Sequence, residues 1–297
     1  MPARRLDLKS PEAVYSRHIM KDVPFSERLA VCSWSLQPAS PEDLVSKLNQ
    51  IGIPRVQLAL DPIREQPGLW GGVSEILSRS GYQIVSGMIG FIGEDYSTME
   101  IIRATGGVAP DATWEANRAN VIASADIGAR LGLKLVTFHA GFLPHDACGV
   151  EYAKLRQRLE VVADAFGAHR IDVAFETGQE TGPALSLFLQ RLGRPNVGVN
   201  FDPANIILYD NGDPIEALEE LGPWLKQVHI KDGTRTKTPG TWGQEVTTGT
   251  GDVPWPKFFH TLRELDFNGT CCIEREAGNS RVADIQAAKA VVESIAS

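Results

Sequence analysis

The chain has 297 residues, 43% of them hydrophobic and 22% charged, enough apolar material for a large buried core and a balance that excludes disordered and fibrous classes. Its 29 Lys and Arg against 37 Asp and Glu leave a formal net charge of −8, with no basic run; an acidic surface repels phosphate backbones, so no nucleic-acid partner is expected. No stretch approaches the ~18 consecutive apolar residues of a membrane span, the amino terminus lacks the apolar core of a signal peptide, and Cys32, Cys148, Cys271 and Cys272 show no CxxC spacing; a reducing, cytoplasmic setting is expected.

Residues 1–28 lie outside the pattern that follows, and are expected to form an arm, a plug under the core or an oligomer contact. From residue 29 onward, short apolar runs alternate eight times with stretches of helical period, without a break in composition. The strand-like runs are 29–36, 55–60, 83–89, 134–139, 172–176, 197–202, 227–230 and 270–274. Several are nearly all apolar, as parallel strands covered on both faces must be. Between the first two runs, Ser40 can cap a helix that has Pro41 at its first position and stops at Gly52. Tyr152, Leu155, Leu159, Val162 and Phe166 form a later apolar helical stripe, and Ile285, Ala288, Val292 and Ile295 the last. Two long connections, 91–111 and 231–253, are expected to be functional loops, with Trp242 in the second as a lid residue.

Eight βα units close into a barrel or stay open as a doubly wound sheet. An open dinucleotide-binding sheet wants GxGxxG after its first strand, whereas Gln37-Pro38-Ala39-Ser40 stands there. The expected fold is therefore α/β, a single-domain (β/α)8 TIM barrel over residues 29–297.

Such barrels place their chemistry at the carboxyl ends of the strands. Here the fourth ends on His139, the fifth on Glu176, the sixth on Asp202, the seventh on His229 and the eighth on Glu274. A single acidic residue at a strand end commonly caps a turn, but barrel closure gathers the last four ends into one bowl. Three carboxylates crowded there need a cation. Lys231, Arg235 and Arg275 are the only basic residues near those ends, so a divalent metal is the better expectation. One imidazole and three carboxylates suit Mn²⁺ foremost, with Mg²⁺, Co²⁺ or Zn²⁺ also compatible. Four protein ligands leave open positions for neighbouring oxygens of a hydroxy-ketone, which acidifies the C–H between them. Glu176 and Glu274 are the candidates to remove and return that proton through an enediolate. His145, Asp146 and Cys148 look metal-like on paper but are read as spaced polar loop residues.

At these strand ends the sequence resembles the xylose isomerase-like barrel superfamily, in the sugar phosphate isomerase/epimerase branch that includes ketose 3-epimerases of the tagatose/psicose type. The resemblance covers roughly residues 29–297. It implies that Glu176, Asp202, His229 and Glu274 bind one divalent metal, that Glu176 and Glu274 transfer the proton, and that Arg235, six residues after His229, contacts substrate oxygens. The stretch from Thr247 to Trp255 resembles the family's glycine-rich loop ending in Trp. The sequence departs from the epimerases at Asn205, where they have a histidine, and at Gly182, where they have an acidic residue that Glu180 can replace from the neighbouring turn. With His139, Asn205 and Trp34 taken as substrate-binding, the implied function is a metal-dependent sugar isomerase or epimerase acting beside a ketose carbonyl, as a homodimer or homotetramer.

Three alternatives stay open: an inosose-type dehydratase, which begins with the same proton abstraction, a non-catalytic sugar-binding barrel, and a phosphodiesterase like endonuclease IV. The last needs extra histidine and aspartate ligands; His139 matches one and Asn205 replaces another, and the net charge of −8 weighs against it. Whether the sugar carries a phosphate is open, since backbone amides at Gly278 and Asn279 can hold one.

Overall fold

A computed structural model of the chain describes residues 23–144 and 146–295. Strands β1 (Leu29–Cys32), β2 (Arg55–Ala59), β3 (Gln83–Met88), β4 (Leu135–Phe138), β5 (Asp172–Glu176), β6 (Val197–Phe201) and β7 (Leu225–Ile230) are followed by a short hairpin, β8 (Asp232–Thr234) and β9 (Gln244–Val246), and then by β10 (Cys271–Ile273). All but β8 and β9 form a closed parallel barrel in the order β1-β10-β7-β6-β5-β4-β3-β2. Every residue of β1, β6 and β10 is buried, which is why their sequences read as continuous apolar runs.

The helical layer follows from local sequence. Ser40 accepts a hydrogen bond from the Asp43 amide, and Gly52, at φ 71°, ends the helix Pro41–Ile51 in the left-handed conformation that glycine adopts without strain. That helix turns Leu44, Leu48 and Ile51 into the core. The helix Val150–Gly167 buries Tyr152, Leu155, Leu159, Val162 and Phe166, the stripe expected from its spacing.

Several boundaries differ from the sequence reading. The first apolar run stops being a strand at Cys32, and residues 33–36 form a 3-10 turn. Ser33 supplies the reason: its hydroxyl accepts the Ala59 amide and bends the chain across the barrel mouth. After β2 the expected single helix is broken into Asp61–Glu65, Pro67–Trp70 and Val73–Arg79, with Pro67 interrupting the ladder and Gly71 and Gly72 following. Both long connections contain structure: the first holds the helix Met99–Thr105, the second the β8–β9 hairpin.

Asp232 explains the glycine-rich loop. Its carboxylate accepts hydrogen bonds from the amides of Gly249, Gly251 and Val253 and from Trp255 Nε1. A Cβ on Gly251 would lie 2.2 Å from Asp232 Oδ1, so only glycine lets the loop wrap that closely.

At the opposite end, residues 25–28 of the segment preceding β1 form a turn whose Phe25 packs on Phe259 and whose Arg28 donates to the Phe267 carbonyl at 2.8 Å. These residues thus pack on the helix Trp255–Glu264 and on the segment that leads into β10; residues 1–22 and His145 lie outside the described residues.

Candidate metal centre

Four strand ends converge as the sequence predicts. Glu176 is the last residue of β5, Asp202 follows β6, His229 lies in β7, and Glu274 follows β10. One ligand atom from each lies within 4.8 Å of those of the other three, and all four residues are buried. His229 Nδ1 faces Glu176 Oε1 at 3.5 Å, Glu274 Oε2 at 3.5 Å and Asp202 Oδ2 at 3.9 Å. These separations exceed a hydrogen bond.

Each side chain is held from behind. Asp202 caps the helix Pro203–Leu208 through Oδ1, which accepts the amides of Ala204 and Asn205, while its Oδ2 has no hydrogen-bond partner. Thr177 clamps the ends of β5 and β6 together by exchanging hydrogen bonds with the Asp202 backbone. On the other edge of the His229 ring, Nε2 lies 2.9 Å from Gln57 Oε1. Because Gln57 Nε2 donates to Thr137, its Oε1 is the accepting end. Gln57 Oε1 and Asn200 Nδ2, the latter 3.0 Å away, both face Nε2, and Nδ1 is directed at the carboxylates, where it has no hydrogen-bond partner.

Two orphaned buried atoms, Asp202 Oδ2 and His229 Nδ1, thus point toward a gap bordered by three carboxylates. Buried polar atoms without partners are costly, and a divalent cation there satisfies all four groups with the oxygen-rich, single-nitrogen set that hard cations take. The electrostatics show the excess of negative charge that a cation would offset. Burial alone would lower the His229 pKa, but Glu176 and Glu274 outweigh it and hold the imidazole well above its ordinary value. Burial pushes the Asp202 carboxyl up to about 7, opposed by Lys231. At Glu274 burial is overcome by Lys231 and His229, which hold the carboxyl well below its usual range. The residues fit a metal ion.

A model of the family described as xylose isomerase-like TIM barrel matches residues 47–296. The chain belongs to that family. Among solved structures, a xylose isomerase domain protein from Planctomyces limnophilus superposes with a TM-score of 0.78 at 29% identity, over 84% of this chain and 90% of that one. D-psicose 3-epimerase from Clostridium cellulolyticum H10 gives 0.68 at 14% identity, over 90% and 99%. The probable 3-DHS dehydratase AsbF from Bacillus anthracis gives 0.68 at 17% identity, over 90% and 98%. The last two similarities bear on the fold alone. Among curated proteins, the uncharacterized protein YihM of Escherichia coli strain K12 is 26% identical over 159 residues, which span 48% of this chain and 44% of YihM.

Like its four carboxylate and imidazole groups, other predicted residues of this xylose isomerase-like barrel gather at the centre. Trp34 Nε1 donates to Glu274 Oε1 at 2.8 Å, so the indole orients a carboxylate rather than offering only a stacking face. Asn205 Nδ2 donates to Glu176 Oε1 at 3.1 Å. His139 Nε2 lies 3.7 Å from the same oxygen, and its Nδ1 is buried without a partner. All three also line a cavity of about 630 Å³, and so connect it to the carboxylates.

Arg235 does not join them. The β8–β9 hairpin carries it to the surface, where its guanidinium pairs with Asp210 and donates to the Gly212 carbonyl at 2.6 Å; it is absent from the cavity lining. Gly182 is a packing residue, since a Cβ there would lie 2.8 Å from Ala217 Cα. Trp242 lines the cavity wall against Tyr209.

Glu180 accepts the Leu143 amide at 2.7 Å and so anchors the loop after β4. Burial pushes its carboxyl up to about 8, against the pull of the Leu143 amide and His139. A carboxyl raised in the folded state favours folding while protonated, and that advantage is lost as pH climbs from the unfolded value of ~4.3 toward about 8. Glu180→Gln is expected to flatten the decline of melting temperature across that window, as thermal melts from pH 4 upward measure.

Two charged residues escaped the sequence reading as members of the site. Lys231 Nζ is buried 2.8 Å from Glu274 Oε2, 2.5 Å from Glu276 Oε2 and 3.8 Å from Asp202 Oδ2. Lys231 stands two residues beyond His229, the extended-chain period that turns both side chains to one face. Glu276 bears the same relation to Glu274, so the signal was present.

Proposed function

We propose that this barrel is a divalent-metal-dependent sugar isomerase or epimerase that moves a proton at the carbon beside a ketose carbonyl. The observation that carries this reading is the convergence of Glu176, Asp202 and Glu274 on His229 Nδ1, with that nitrogen and Asp202 Oδ2 left unpartnered. When bound, the divalent ion, Mn²⁺ by preference for this donor set, polarises the carbonyl and stabilises the charge that develops as the adjacent proton leaves.

The protein side supplies two carboxylates in different surroundings. Glu274 presents Oε2 to the centre while Trp34 fixes Oε1. Glu176 is held by Asn205 and approached by His139. One glutamate takes the proton from one side of the substrate carbon and the other returns it from the opposite side. The D-psicose 3-epimerase that shares the fold supports this reading. Lys231, beside Glu274, favours a second one, because an ammonium there can give a proton to a departing hydroxyl and complete a dehydration.

The test is solvent deuterium exchange, followed by NMR, of ketohexoses, ketopentoses and inososes with Mn²⁺ present. Incorporation beside the carbonyl with all hydroxyls retained is expected; loss of a hydroxyl identifies the dehydratase, and no exchange with any of them contradicts both. Trp34→Phe keeps the ring and removes the donor to Glu274. It is expected to lower kcat by about 10-fold with KM little changed, the loss of one hydrogen bond to a charged group, as initial rates would show.

A further inference from the structure

The cavity next to the carboxylates is larger, and its charge more one-sided, than a free or phosphorylated ketose requires. At about 630 Å³ it lies within the ~300–1,000 Å³ range of pockets that enclose drug-sized ligands. A free ketohexose has only about a dozen non-hydrogen atoms and fills a minor share of a drug-sized pocket.

His139, Asn205 and Lys231 line the cavity next to the carboxylate cluster, and Trp34, Tyr96, Leu208, Tyr209 and Trp242 add apolar, aromatic surface to it. Those aromatic surfaces are fixed. Tyr209 and Trp242 meet edge to face at 4.6 Å. The Gly243 amide donates to the Leu208 carbonyl at 2.9 Å, fastening the β8–β9 hairpin against the helix Pro203–Leu208. Ring faces held this way suit the C–H faces of a sugar ring.

Charge narrows the class further. The carboxylates of Asp61, Glu94, Glu245 and Glu276 line the cavity, and Lys231 is the one lysine or arginine among its described lining residues. That ammonium is already engaged by Glu274 and Glu276. The guanidiniums near the mouth are engaged as well: Arg275 with Glu245 and Asp284, Arg235 with Asp210, and Arg281 with the carbonyl oxygens of Gly278 and Arg275. Gly278 and Asn279, which the sequence offers as a backbone phosphate site, are absent from the lining. A phosphate entering this cavity meets four carboxylates and, apart from the His139 imidazole, no cationic group free of a carboxylate or carbonyl partner.

We infer that the site takes an uncharged hydroxy-ketone bearing a second ring, such as a disaccharide with a free ketose unit, and discriminates against phosphorylated sugars. This rests on the proposed proton transfer for the position of the ketone; the size and charge of the cavity stand without it.

Isothermal titration of the full chain with saturating Mn²⁺ against three ligands that lack a carbonyl tests it: sorbitol, lactitol, which is sorbitol carrying a galactosyl ring, and sorbitol 6-phosphate. Lactitol is expected to bind at least about tenfold more tightly than sorbitol, and sorbitol 6-phosphate no more tightly than sorbitol. Trp242→Ala is expected to weaken lactitol more than sorbitol and so erase the advantage of lactitol. Equal affinity for sorbitol and lactitol, no binding of lactitol, or preference for the phosphate overturns the inference. A lactitol preference without deuterium exchange in any ketose, lactulose included, instead sinks the proton-transfer reading and leaves the ligand class standing.

Discussion

Glu274→Gln is expected to lower solvent deuterium incorporation beside the ketose carbonyl by about 10²- to 10⁴-fold, the contribution of a positioned general base, as timed NMR spectra in deuterium oxide would show. The amide keeps the shape of the side chain and its acceptor oxygen for Trp34, but cannot accept the substrate proton. The fold should tolerate the change. Lys231 loses one carboxylate partner but retains Glu276 at 2.5 Å, and the packing of the side chain is kept. Undiminished exchange in a folded variant would show that Glu274 is not the base.

Lys231→Met should have the largest effect on stability. In the metal-free protein this ammonium is the charge that faces Glu274 at 2.8 Å, Glu276 at 2.5 Å and Asp202 at 3.8 Å. Removing one partner of a buried ion pair leaves an uncompensated charge and costs about 3–5 kcal/mol. Here two buried carboxylates, Asp202 and Glu274, would be left with His229 as the nearest group able to carry a positive charge. Urea unfolding of metal-free wild type and variant gives the difference, and saturating Mn²⁺ is expected to restore more stability to the variant than to wild type, because the ion replaces part of the lost charge. A loss under about 1 kcal/mol, the scale of an exposed pair, would mean that the ammonium contributes little to holding the cluster.

The barrel and its four convergent groups were legible because two simple periodicities carry them. Parallel strands buried on both faces read as apolar runs, and barrel closure brings their carboxyl ends together however far apart they lie in the chain. Glu176, Asp202, His229 and Glu274 each close or follow such a run, so counting strands was enough. Arg235 failed for a local reason: an offset from His229 assumes a loop of fixed path, and the β8–β9 hairpin redirects it. Trp34 was misplaced within its element because Ser33, not an apolar break, ends β1.

Lys231 was visible two residues after His229, yet a basic residue and a metal were weighed as rival ways to neutralise the carboxylates. In the structure Lys231 reaches Glu274 through Oε2, the same oxygen that faces His229 Nδ1. The hydrogen bonds that orient the imidazole could not be read from sequence. Gln57, Asn200 and Thr137 come from β2, β6 and β4, and only the closed barrel brings Gln57 and Asn200 onto His229 Nε2, with Thr137 behind Gln57.

Calorimetric titration of Mn²⁺ into metal-stripped protein, wild type beside His229→Ala, tests the centre most directly. Wild type is expected to bind one ion per chain, and the variant, which loses the nitrogen around which the three carboxylates are arranged, to bind none at the same concentrations. Absence of binding to wild type, or the same stoichiometry and affinity in both proteins, would contradict the assignment of these four side chains to a metal.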